Sequence, residues 1–80
     1  MNDNVAEDAQ LDHLQAAYKS AVEQWIQGIR AEEALASVNH SVAEIDQWEA
    51  AHYREEELRK VVKAAKKHYE DALRHKFFNF

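Results

Sequence analysis

Eighty residues with no cysteine, no proline and a single glycine make at most one domain, with few turns and neither disulfides nor thiolate metal sites. So short a chain has a thin core, which leaves oligomerisation or a metal held by other ligands as its support, while a hydrophobic fraction of 46% excludes wholesale disorder. The net charge of −5 conceals an asymmetry: residues 1–57 carry 13 acids and 3 bases, residues 58–80 carry 2 acids and 7 bases, so that −10 is followed by +5.

Residues 1–8 are polar and aperiodic and are expected to form a flexible tail ahead of a single domain, 9–80. The opening Met1-Asn2-Asp3-Asn4 lacks the basic and apolar regions of a secretory signal. No apolar run approaches the ~20 residues that span a bilayer, so no membrane contact and a cytoplasmic location are expected.

From Leu11 apolar residues recur in steps of three and four: Leu14, Tyr18, Ala21, Val22, Trp25, Ile29, Leu35. This spacing predicts an amphipathic helix over about 9–38. Gly28 interrupts it at a cost of roughly 1 kcal/mol against alanine, but lets a neighbouring backbone come close. Val38-Asn39-His40-Ser41 is the turn signal, because Asn39 tolerates the left-handed conformation that ends a helix. Ser41-Val42-Ala43-Glu44 then reads as a capping box.

A second helix is predicted over about 42–77, carried by Ile45, Trp48, Ala51, Leu58, Val62, Ala65, Tyr69 and Ala72. The polar stretch 53–57 is the only candidate for a break, and a break there would give three helices. The fold expected is all-α, a long antiparallel helical hairpin.

Two helices touching along one line cannot enclose a core, yet Ile26, Val61, Leu73, Phe77, Phe78 and Phe80 flank the stripes. The apolar repeat is nearer 3.5 than 3.6 residues, which favours a left-handed four-helix-bundle-like core. Homo-oligomerisation is therefore expected, with a dimer the simplest closed form. Trp25, Trp48, Phe77, Phe78 and Phe80 are the expected interface residues. The tail 77–80 either folds back on the bundle or docks into the groove of a protein partner.

One constellation can carry chemistry. A hairpin turning near residues 39–40 pairs positions whose numbers sum to about 80. Glu32 then faces Trp48 and Glu49, His52 faces Gly28, and Glu55 faces Trp25. The heptad places Glu32, His52 and Glu55 on the apolar seam, where ionisable groups are costly unless paired or ligated. Glu49-Ala50-Ala51-His52 is a Glu-x-x-His, whose carboxylate and imidazole share a helix face. Carboxylate-bridged di-iron bundles use two such pairs with a further glutamate from each of two other helices. Glu32 (or Glu33), Glu49 and His52 would supply half of that set, to be completed across a dimer, and the donors suit iron, manganese or zinc. Ten glutamates and five histidines give about 0.6 chance matches to this motif, so it carries little alone.

Two functions from different classes follow: a non-enzymatic self-associating adaptor or structural module, or a ferritin-like metal-binding bundle that oxidises ferrous iron. The likeness to ferritin-like proteins is one of ligand set and architecture. The basic run Arg59, Lys60, Lys63, Lys66, Lys67, Arg74, Lys76 could track phosphates. It suits better the dipole of a helix end lying beside the acidic start of helix one, so nucleic acid is not expected. The aromatic residues at helical spacing are expected to pack rather than to stack bases, and His13, His40, His68 and His75 are expected to be exposed.

Overall fold

The computed structural model describes residues 3–36 and 41–78, with side-chain surroundings from residue 7 onward. They form two helices, α1 (Asp3–Ala34) and α2 (Val42–Phe78), packed along each other as a hairpin measuring 63 × 19 × 13 Å. The expected all-α hairpin is thus observed.

The inward stripe of each helix advances in alternating four- and three-residue steps. In α1 and just past it the inward positions are Glu7, Leu11, Leu14, Tyr18, Ala21, Trp25, Gly28, Glu32 and Leu35. In α2 they are Ala51, Glu55, Leu58, Val62, Ala65, Tyr69, Ala72 and Lys76, each buried or half-buried. Seven residues per two turns is the period of a left-handed supercoiled pair. The contact is a single line, however. Among the described residues only Ala21, Gly28 and Val62 are buried.

Residues that immediately follow these seam positions lie on one broad face of the hairpin, and residues that precede them lie on the other. Two shallow grooves mark the faces. One is lined by Ile45, Trp48, Glu49, His52 and Tyr53 beside the seam residue Glu32. The other is lined by Gln24, Gln27, Ala31, Ala50 and Arg54 beside Gly28 and Leu58.

Helix one extends further toward the N-terminus than its sequence suggests and stops earlier. It takes in residues 3–8 and ends at Ala34 rather than near residue 38. Its last turn tightens, with the amides of Leu35 and Ala36 donating to the carbonyls of Glu32 and Glu33 at 3.2 and 3.0 Å. The start of α2 agrees with expectation: the Glu44 amide donates to the Ser41 hydroxyl at 3.2 Å. The expected turn residues Val38, Asn39 and His40 lie outside the described residues. Helix two runs unbroken through 53–57, which removes the three-helix alternative.

The register also differs from a simple fold about residue 40. Glu32 lies beside His52 and Asp8 beside Lys76, pairs whose numbers sum to 84. Glu32 therefore meets His52 rather than Trp48 and Glu49, and Gly28 meets Glu55 and Leu58 rather than His52, while Glu55 meets Trp25 as expected. Gly28 sits at the closest part of this contact. A Cβ there would sit 2.7 Å from Leu58 Cδ1 and 3.8 Å from Glu55 Cα, so the leucine fills the space that only glycine leaves open. A consequence of the register is that the first two turns of α2 run past the end of α1. Val42, Ile45 and Trp48 are left exposed there.

Candidate functional site

Two ionisable groups of the seam, Glu32 and Glu55, lie near the end of α1, and exposed His52 stands beside the seam between them, not on it as the heptad suggested. Glu32 projects from the last full turn of α1, and His52 and Glu55 lie one turn apart on α2. His52 Nδ1 is 3.6 Å from Glu32 Oε1. One ligand atom from each of Glu32, His52 and Glu55 lies within 4.8 Å of the other two. The Trp25 indole donates from Nε1 to Glu55 Oε1 at 2.6 Å. This bond fixes one carboxylate oxygen and leaves the other available.

The expected trio of Glu32, Glu49 and His52 is therefore only partly assembled. All three line one groove with Ile45, Trp48 and Tyr53, but the carboxylate close to Glu32 and His52 is that of Glu55. The motif one turn further along, His52-x-x-Glu55, was the more informative signal, because Glu55 occupies a seam position and Glu49 sits beside the seam.

Glu32 from α1 and Glu55 from α2 thus bring two carboxylates to one imidazole, that of His52. The same atoms form a mixed nitrogen and oxygen donor set of the kind that takes iron, manganese or zinc. Ligand atoms around a tetrahedral ion at zinc distances lie about 3.4 Å apart, so rotamers here would have to close inward. Glu32 is the more enclosed of the pair, its side chain 24% exposed against 54% for His52.

Of the expected interface residues, Trp25 is half-buried within the hairpin and engaged with Glu55. Trp48 is 50% exposed. Phe77 and Phe78 close α2 in an exposed position, with the Lys76 ammonium 5.4 Å from the Phe77 ring centre. Phe80 lies outside the described residues.

The basic run is largely matched within its own helix: Arg59 to Glu56, Lys60 to Glu57, Lys66 to Glu70, Lys67 to Asp71, and Arg74 to both Glu70 and Asp71. Residues 59–67 lie beside the middle of α1 rather than its acidic start. Lys76 alone of the run is seen to reach that start, at Asp8, whose hydrogen bond holds the ammonium above its ordinary range. His13, His68 and His75 are exposed as expected, and His40 lies outside the described residues.

No described helix is long and apolar enough to cross a membrane. No family model, curated protein or solved structure matches this chain.

Proposed function

We propose that the chain is a self-associating helical module, with a second copy of itself as partner and assembly rather than catalysis as its role. The observation that carries this reading is the distribution of apolar surface. Ile29, Val42, Ile45 and Phe77 are exposed on the face that follows the seam, bordered by the exposed Trp48 and Tyr53. Half-buried Val22, Ile26 and Leu73 share that face. The opposite face carries Val61 and Phe78 as its exposed large apolar residues among those described. A hairpin with three buried residues among those described, and with most of its exposed large apolar side chains gathered on one otherwise charged face, has the form of half a four-helix bundle. Its footprint of 63 × 19 Å is about 1,200 Å², more than the roughly 800 Å² per partner of a standard stable interface.

Sedimentation equilibrium at micromolar concentration is expected to report twice the 9.3 kDa chain mass. A compact particle of single mass at that concentration would refute the proposal.

A second reading is favoured by one observation, the approach of Glu32, His52 and Glu55 to within 4.8 Å. On this reading the module also holds a divalent transition cation at the turn end, and dimerisation brings two such sites into one assembly. Cobalt(II) serves as the probe, because its d–d absorption reports nitrogen and oxygen ligation directly. The wild-type chain should show that absorption and a rise in Tm, both lost in Glu32→Gln with His52→Ala. Unchanged spectra and Tm on cobalt addition would dismiss this reading and leave the first untouched.

A further inference from the structure

The charges on the face that follows the seam fall into zones along the hairpin. A residue of α2 lies level with the residue of α1 that brings their numbers to about 84, as the Glu32–His52 and Asp8–Lys76 pairs show. Read from the turn end, Glu49 and Glu33 come first, and Arg59, Lys63, Lys19 and Lys66 come next, with Asp12 and Asp8 at the open end; the half-buried Glu56 and Glu70 border the basic zone, ion-paired to Arg59 and Lys66. The face is thus acidic, then basic, then acidic. Between and around the first two zones lie Val22, Ile26, Ile29, Ile45 and Trp48.

We propose that two copies pair through this face in a staggered antiparallel arrangement, with the two-fold axis passing near Ile26. The inference rests on self-association and adds its face and register. An isologous contact presents the same patch from both partners, so the only registers allowed are those in which the patch complements itself. An axis at the centre of the hairpin length would set the acidic turn end against the acidic open end of the partner. An axis near Ile26 sets Glu33 and Glu49 of each copy over Lys19, Lys63 and Lys66 of the other, and the reverse by symmetry. The same axis buries Val22, Ile26 and Ile29 against their own copies at the centre. It brings Trp48 over the zone of Lys19 and Lys66, where an ammonium can lie on an indole face. At 1.5 Å per residue the overlap is about 45 Å, which at the 19 Å width still exceeds the ~800 Å² a stable dimer needs. Phe77 stays outside it.

Charge reversal tests this with the full chain. Glu33, Glu49, Lys19 and Lys63 are all exposed, so the substitutions leave the seam intact. In sedimentation runs at low salt, E33K/E49K and K19E/K63E should each dimerise at least tenfold more weakly than wild type. An equimolar mixture of the two should recover the wild-type dimer constant, because both halves of the mixed interface become complementary. Single cysteines give a second readout, since the chain has none of its own. Ile26→Cys, at the axis, should oxidise to a disulfide-linked dimer far faster than Leu73→Cys. A wild-type chain that is monomeric overturns self-association itself. A wild-type dimer whose charge variants do not rescue one another, or whose Leu73→Cys cross-links as fast as Ile26→Cys, overturns this face and register alone.

Discussion

The indole of Trp25 and the carboxylate of Glu55, thirty positions apart in sequence, are joined by a 2.6 Å hydrogen bond across the hairpin. The bond places the largest aromatic side chain of α1 in the seam without leaving its N–H unsatisfied. It also gives a half-buried carboxylate a donor that cannot itself compete as an acceptor.

Trp25→Phe keeps most of the ring and removes the donor. Hydrogen bonds to charged acceptors contribute about 1.5–3 kcal/mol when well enclosed, and partial exposure lowers the expectation to about 1–2 kcal/mol. Urea unfolding at fixed protein concentration measures it, since association makes stability depend on concentration. A double-mutant cycle with Glu55→Gln isolates the pair. No destabilisation in Trp25→Phe would show that water replaces the indole at no cost.

Ser41 holds the start of α2 through its hydroxyl, which accepts from the Glu44 amide at 3.2 Å. Ser41→Ala should cost about 1 kcal/mol, as N-cap removal does, and Ser41→Asp should recover most of it. The loss should appear first as faster hydrogen exchange in the opening turn of α2. Equal exchange in Ser41→Ala and wild type would assign the cap no weight.

The two helices, the cap at Ser41 and the inward stripe were legible in the sequence because each follows from local periodicity or a local hydrogen bond. The register was not. It follows from how side chains interlock across the seam, Leu58 against Gly28 among them, which no residue count from the turn reveals. The slip of about four positions redirected Glu32 from Glu49 toward His52, while the grouping of Glu32, His52 and Glu55 and the approach of Glu55 to Trp25 were both legible in the sequence. The end of α1 was misplaced for a related reason: Leu35 keeps the apolar period beyond the point where the helix has already tightened into a turn. Exposure at Val42, Ile45 and Trp48 follows from that early end and was hidden for as long as α1 was taken to reach residue 38.

Lys76 and Asp8 close the open end, and the hydrogen bond from Lys76 to the Asp8 carboxylate raises the ammonium above its usual 10.5, with Coulombic help from Asp8, Glu7 and Asp12. A raised lysine value means the folded chain holds the proton more tightly than the unfolded one. The contribution is therefore complete below about pH 10.5 and fades as pH climbs through the folded value. Lys76→Gln should be less stable than wild type at pH 8, with the difference vanishing in strong alkali. Denaturant melts followed by circular dichroism across that range measure it. A difference that stays constant with pH would exclude the pair as its source.

Gly28 offers the sharpest test of the packing. A methyl group at this position meets Leu58 Cδ1 at 2.7 Å, which is the far end of a flexible side chain, and Glu55 Cα at an ordinary 3.8 Å. Gly28→Ala therefore gains about 1 kcal/mol of helix propensity and loses a similar amount as Leu58 rotates away, so its stability should stay within ~1 kcal/mol of wild type. Gly28→Val adds two methyl groups against the same leucine and against backbone that cannot rotate, and overpacking of that kind costs about 1–3 kcal/mol. Combining Gly28→Val with Leu58→Ala should return part of the loss, because the leucine is what the added bulk displaces. If Gly28→Val were as stable as wild type, the helices would have room to move apart at this level, and the leucine-in-glycine contact could not help to set their register.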